Sequence, residues 1–267
     1  MSGGTQFALR SSTERGHSDH GWLKTFHSFS FANYSDPKHS EFGSLRVLNE
    51  DRVEARTGFG IHSHREFEIF SYIVSGELQH KDSMGNTEVL KRGDLQMTSA
   101  GTGIQHSEHA HGDEQVHFLQ IWSKPSVANL KPAYFTRHFT DNEKGDRWAR
   151  VVAPAGEEGV SDARQALGPA PVHSPLSLYA TLLSPGRCLS RELSTPALSK
   201  AYVHVVQTSG YNPSAASGST IRVSTPDTQN AVLREGDGLC VTAPDGTTLS
   251  VENIGERVAE VLLFELA

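Results

Sequence analysis

Apolar and polar positions along the chain fall into short runs, many of them alternating, that Gly, Pro, Asn or Asp interrupts about every ten residues. Ser44–Asn49, Phe67–Val74, Thr87–Leu90, Asp94–Thr98, His117–Trp122, Tyr202–Gln207, Thr220–Val223 and Glu260–Glu265 carry the β-branched and aromatic side chains that suit strands. Met84-Gly85-Asn86 lies between the runs Glu77–Lys81 and Thr87–Leu90 and predicts a hairpin turn. A helical period is found only over Ser161–Leu167, which predicts one short helix. Evenly spaced short strands predict an all-β chain of antiparallel sandwiches or barrels.

The pattern occurs twice. SYIVSGEL (Ser71–Leu78) leads through a hairpin to LKRGDL (Leu90–Leu95), and AYVHVVQ (Ala201–Gln207) leads likewise to LREGDG (Leu233–Gly238). The first copy continues with AGTG (Ala100–Gly103) and QHSE (Gln105–Glu108). The second continues with APDG (Ala243–Gly246) and LSVE (Leu249–Glu252), without the histidine. Two similar barrels joined end to end account for this, residues 1–135 forming the first and residues 136–267 the second. Residues 152–175, rich in Ala, Gly and Pro, read as a linker, and Ser209–Ser219 as a polar hairpin loop.

Composition narrows the function classes. Acidic residues number 31 against 24 basic, a net charge of −7, which is the wrong sign for direct nucleic-acid binding. No apolar run approaches the roughly 20 residues of a membrane-spanning helix, and the polar start of the chain lacks a secretory leader's apolar stretch. Two cysteines, Cys188 and Cys240, are too few for a disulfide scaffold. An intracellular protein, cytoplasmic or nuclear and off the membrane, is expected. Histidine is the outlier: 14 in all, eleven of them within the first 117 residues.

Two motifs within that half carry metal chemistry: His62-Ser63-His64 and His106-Ser107-Glu108. On a strand, residues i and i+2 share a face, about 6.5 Å apart along the chain. A lone His-x-His is usually a surface pair. Here a Gly-rich approach (Gly58-Phe59-Gly60) and a following strand flank the first motif, and the second comes after Arg92-Gly93-Asp94 and Ala100–Gly103. Two such strands facing one barrel interior offer three imidazoles and a carboxylate, a set suited to Fe, Mn, Ni, Cu or Zn.

The stretch Phe29–Trp122 resembles a pirin, a bicupin of the cupin superfamily, through FGSLRVLNEDRV (Phe42–Val53), GFGIHSHREFEIFSYIVSGELQHKDSMGN (Gly58–Asn86), RGDLQMTSAGTGIQHSE (Arg92–Glu108) and VHFLQIW (Val116–Trp122). The resemblance implies two tandem cupin jelly-roll barrels, the second without a metal. It implies one mononuclear ion, Fe(II) in the family, held by His62, His64, His106 and Glu108. It also implies a quercetin 2,3-dioxygenase-like oxidoreductase: the 3-hydroxyl of a flavonol meets the ion, Glu108 takes its proton, and O₂ opens the ring with loss of carbon monoxide. Animal pirin is described as a nuclear co-regulator, so a non-catalytic module that binds a protein partner stands as the alternative. An oxygenase or isomerase acting on another enolic metabolite is a third reading.

The sequence departs from pirins at Ser63, where proline is usual, and at Arg65–Glu68, expected to border the pocket. Glu68 stands four residues after His64, where many cupins take a ligand, and is read as a group that accepts a hydrogen bond from a ligand imidazole. His109 and His111 read as solvated loop residues, and His80 and His117 as hydrogen-bonded barrel residues. CLSRELST (Cys188–Thr195), where the second barrel's ligands would stand, contains no histidine. Arg137, Lys144, Arg147 and Arg150, interleaved with acidic residues, read as a solvated face of mixed sign.

Overall fold

A computed structural model describes residues 4–193, 198–227 and 230–266. Strands dominate it, and chain contacts gather them into two units that interleave in sequence. One comprises Gly16–Phe139 and Val152–Pro175, the other Met1–Arg15, Thr140–Val151 and Leu176–Ala267. Strand Gln6–Arg10 pairs with Gly238–Thr242, which puts the start of the chain in the second unit. The division therefore differs from a single cut after residue 135.

In the first unit, a seven-stranded sheet runs in the order Ala133–His138, Asp94–Ser99, Glu68–Ser75, Val116–Ser123, Leu45–Val53, Leu23–His27 and Gly16–Asp19. A four-stranded sheet runs Gly58–His64, Ile104–Ala110, Glu77–Asp82 and Thr87–Lys91. Alternation puts Leu23, Val53, Ile73, Val116 and Phe118 of the larger sheet against Leu78, Leu90 and Ala110 of the smaller, which makes the two sheets the walls of one barrel. The hairpin at Met84–Asn86 forms as the sequence predicts, joining Glu77–Lys81 to Thr87–Lys91.

The second unit repeats the central strands of the large sheet and the whole of the small one. Gly238–Pro244, Leu198–Val205, Ala259–Leu266 and Leu176–Leu183 are neighbours, and its small sheet runs Cys188–Glu192, Thr248–Asn253, Thr220–Ser224 and Asn230–Arg234. Val203, Val241 and Leu263 pack there against Leu233, Leu249 and Val251. The two Gly-Asp turns match in detail. Gly93 and Gly236 take φ of +91° and +88°, and the Asp94 and Asp237 carboxylates accept from the backbone N–H three residues earlier at 2.8 and 2.9 Å. Each unit is the antiparallel cupin-type barrel expected from the sequence.

The helix expected at Ser161–Leu167 does not form. The Arg137 guanidinium collects the carbonyls of Ser161, Ala163 and Arg164, and the backbone N–H of Thr136 donates to Arg164, so the carbonyls a helix needs are engaged elsewhere. Among the described residues the one α-helical turn is Asp141–Lys144, closed by a capping box between Thr140 and Glu143. Four residues show no helical period in the sequence. The segment read as a linker contributes Ala170–Val172, which pairs in parallel with Val152–Pro154. Arg137 and Lys144, expected on a solvated face, are buried, because backbone carbonyls engage the guanidinium and Glu260 and Asp141 flank the ammonium. Among the described residues no helix is long and apolar enough to cross a membrane.

Candidate metal centre

Strands Gly58–His64 and Ile104–Ala110 are antiparallel neighbours, in a register that sets His62 opposite His106. His62 and His64, two apart, share the face that His106 meets. Ring centroids are 4.4 Å apart for His62 and His106, 4.7 Å for His64 and His106, and 4.8 Å for His62 and His64. One nitrogen from each of the three lies within 4.8 Å of the others.

Protonation suits these rings to metal binding. A carbonyl oxygen only accepts, so the 2.8 Å contact of His62 Nδ1 with the Gly60 oxygen puts the hydrogen on Nδ1 and leaves Nε2 with a free lone pair. Burial, reinforced by neighbouring imidazoles, lowers His64 to about 4 and His106 to about 3. Both are neutral at pH 7. His106 is buried, and neither of its nitrogens has a hydrogen-bond partner. A buried polar atom without a partner is costly, and a bound cation removes that cost. The donor set and the partnerless nitrogens fit a divalent transition-metal ion.

Glu108 stands in a second, overlapping group with His106 and His80. It is buried, and its carboxylate accepts from Ser71 Oγ at 3.1 Å and from Gln120 Nε2 at 2.9 Å. Both donors are neutral, so the carboxylate is oriented without being neutralised.

His62, His64 and Glu108 open onto a cavity of about 320 Å³ walled by Phe31, Phe59 and Trp122. Trp122 meets the His64 ring edge-on at 4.8 Å, and its Nε1 is buried without a partner. Asn49, Asp51 and Gln120 add polar groups to an otherwise apolar lining. Burial, with the Glu108 carboxylate adding to it, pushes Asp51 up to about 7.

The family model named Pirin matches residues 8–123. A quercetin 2,3-dioxygenase of Escherichia coli strain K12 is 44% identical over 172 residues, which is 64% of this chain and 69% of that protein. The chain belongs to the pirin family. A protein of Pasteurella multocida named a putative quercetin 2,3-dioxygenase is 31% identical over 261 residues, 97% of this chain and 98% of that one. The crystal structure of the bacterial pirin YhhW from Escherichia coli in complex with nickel(II) aligns with a TM-score of 0.79 at 32% identity, covering 98% of this chain and 99% of that one.

At Arg65–Glu68 the structure redirects two expectations. Glu68 is buried and accepts from the His173 backbone N–H at 2.7 Å, from His173 Nδ1 at 3.1 Å and from Ser174 Oγ at 3.2 Å. It anchors Val152–Pro175 instead of orienting a ligand imidazole, because three donors from two residues of that segment reach it. None of Arg65–Glu68 lines the cavity, although Phe67 packs on Trp122 with centroids 5.3 Å apart. His109 lies on strand Ile104–Ala110, not in a loop. His117 hydrogen-bonds Glu50 at 3.1 Å. In the second barrel, Ser190 and Ser250 face each other across the corresponding strands, at 3.0 Å. Ser194 and Thr195, the end of that motif, lie outside the described residues.

Motif reading missed Asp51, Ser71, Gln120 and Trp122, and it read His80 as the hydrogen-bonded barrel residue that its contact with Asp82 makes it. A signal was present for most of them: Asn49 and Asp51, His80 and Asp82, and Gln120 and Trp122 each sit two apart on a strand, so each pair shares one face. Polar side chains spaced in this way inside apolar strands mark the lined face of a barrel.

Proposed function

We propose that the chain is a metal-dependent dioxygenase of the pirin type that opens a flavonol such as quercetin with O₂ at an Fe(II) ion held by His62, His64, His106 and Glu108. The observation that carries this reading is the convergence of three imidazoles, two of them held neutral by burial, at the mouth of an aromatic-walled cavity. Relatives named quercetin 2,3-dioxygenase supply the reaction class. The ion, when bound, would polarise a substrate hydroxyl and supply the redox chemistry that O₂ requires.

The chain's own residues supply the rest. Glu108, aimed by Ser71 and Gln120, takes the proton of the hydroxyl, because its oxygens keep lone pairs beyond the two hydrogen bonds. Phe31, Phe59 and Trp122 hold planar rings and exclude water, and the cavity lies within the usual range of about 300–1,000 Å³ for small-molecule sites. The free Trp122 N–H is a donor for a substrate oxygen. Two free cysteines and the absence of a disulfide among the described residues support an intracellular setting. Arg137 and Lys144 are buried, so they offer no basic surface to a protein partner.

The test is O₂ uptake with a flavonol panel, using protein loaded in turn with iron, manganese, nickel, copper and zinc. Uptake with quercetin, absent in the metal-free protein and in His106→Ala, is expected. Fully loaded protein that turns over no flavonol with any ion would refute the substrate assignment.

A further inference from the structure

The aromatic-walled cavity has a polar side that metal binding does not use. Besides His62, His64 and Glu108, its lining carries Asn49, Asp51, Gln120 and the indole of Trp122. Gln120 is engaged at both ends of its amide: Nε2 donates to Glu108 at 2.9 Å, and the oxygen lies 3.3 Å from the Ser71 hydroxyl. The Asn49 oxygen accepts from His27 Nδ1 at 2.8 Å. Asp51 differs. It is 4% exposed, and its Oδ1 is buried with no hydrogen-bond partner. Leaving a buried carboxyl oxygen unpaired is costly, and a ligand group that pairs with it recovers the cost.

Strand register spaces these groups along the wall. Trp122 lies across from Val47, Gln120 from Asn49, and Phe118 from Asp51. Asp51 therefore stands two register positions beyond Gln120, about 6.5 Å along the strands, and four beyond Trp122, about 13 Å. Gln120 marks the level of the Glu108 carboxylate, to which it donates. The hydroxyl that meets Asp51 is thus not the one that meets Glu108.

Chemistry narrows the group that Asp51 takes. Two carboxyl side chains in one lining, Asp51 and Glu108, repel an anionic substituent. Aromatic walls make an ammonium expensive to bury. A phenolic hydroxyl is neutral and both donates and accepts, so it satisfies a carboxylate or a carboxylic acid alike.

We propose that Asp51 determines substrate specificity by hydrogen-bonding, through Oδ1, a second phenolic hydroxyl, distant from the one whose proton Glu108 takes. The site then selects polyhydroxylated aromatic ring systems over otherwise identical ones that carry only the reacting hydroxyl. This role rests on the reading of the cavity as a flavonol site, and binding to the metal-free protein separates the two.

The test compares quercetin with 3-hydroxyflavone, which keeps the reacting hydroxyl and lacks the others. Binding to metal-free protein, read by quenching of tryptophan fluorescence, and kcat/KM of iron-loaded protein are measured for wild type and Asp51→Leu. Wild type is expected to favour quercetin about 10- to 100-fold in both readouts, and Asp51→Leu to lose most of that preference while holding 3-hydroxyflavone at least as tightly. A merely structural role would weaken both compounds together. Preference for quercetin retained in folded Asp51→Leu, or absent from wild type, would overturn the assignment. Wild type that binds with this preference and turns over neither compound upholds Asp51 and refutes the flavonol dioxygenase reading; equal kcat/KM for both compounds does the reverse. If circular dichroism shows Asp51→Leu unfolded, wild-type crystals soaked with quercetin under nitrogen decide. A hydroxyl other than the 3-hydroxyl within hydrogen-bonding distance of Asp51 Oδ1 is expected, and bound quercetin with none there would overturn the proposal.

Discussion

Gly58 packs so tightly on Glu108 that a Cβ at position 58 would lie 2.2 Å from the Glu108 carbonyl oxygen. The obstruction is backbone, and 2.4 Å away lies the His109 Cα, so no side-chain rotation relieves it. The pairing of the two strands shifts register between His106 and Glu108, and the glycine sits where that irregularity brings the chains closest. Gly58→Ala is expected to displace the strand carrying Glu108, costing about 1–3 kcal/mol in urea unfolding and weakening metal binding. Unchanged metal affinity in calorimetric titration would show that the contact does not position Glu108.

Gln120 holds one Glu108 oxygen at 2.9 Å. Gln120→Leu keeps the approximate volume and removes the donor, which frees the carboxylate to rotate. Metal affinity is expected to fall about 10- to 100-fold with the fold intact. Competition with a chromogenic chelator measures it. Ser71→Ala, which removes the 3.1 Å bond to the other oxygen, is expected to fall in the same direction.

Acid affects the metal-free protein through His64 and His106. Their folded values, about 4 and about 3, lie below the usual 6.5, so the unfolded chain binds more protons between those limits. Stability is therefore fully present above pH 6.5 and is lost as pH falls through 4 toward 3. The melting temperature of the metal-free protein is expected to drop over that interval, and His106→Gln to flatten the drop. A wild-type profile as flat as that of the variant would contradict the assignment.

Asp51 acts in the opposite sense. Its folded value of about 7 lies above the usual 3.8, so the native state keeps a proton that the unfolded chain has released. Stability from this group is lost as pH rises from 3.8 to 7, with a slope approaching about 1.4 kcal/mol per pH unit. Asp51→Asn removes the titration. The metal-free variant is expected to gain stability over wild type as pH rises from 4 to 7, checked by urea unfolding across that range. A constant difference between the two would rule the titration out.

Much of this architecture was legible in the chain. The Gly-Asp turns after Leu90 and Leu233 announced the repeat because a left-handed glycine and a carboxylate that caps its own turn leave a local signature. The i, i+2 histidines announced a shared face. What was not legible depended on distant partners. Glu68 looked like a group at the metal because of its offset from His64, yet His173, more than a hundred residues later, claims it. Ser161–Leu167 has a helical period, but the Arg137 guanidinium draws its carbonyls outward. Gln120 shows its importance only once its side chain is seen to donate to Glu108, twelve residues earlier in the chain.

The most direct measurement is gas balance during quercetin turnover by protein carrying one iron per chain. Equimolar O₂ uptake and carbon monoxide release are expected, both abolished in His62→Ala, His64→Ala and His106→Ala. Iron-saturated wild-type protein that consumes no O₂ with quercetin, or that keeps full turnover after all three histidines are replaced, would contradict a dioxygenase centre at this site.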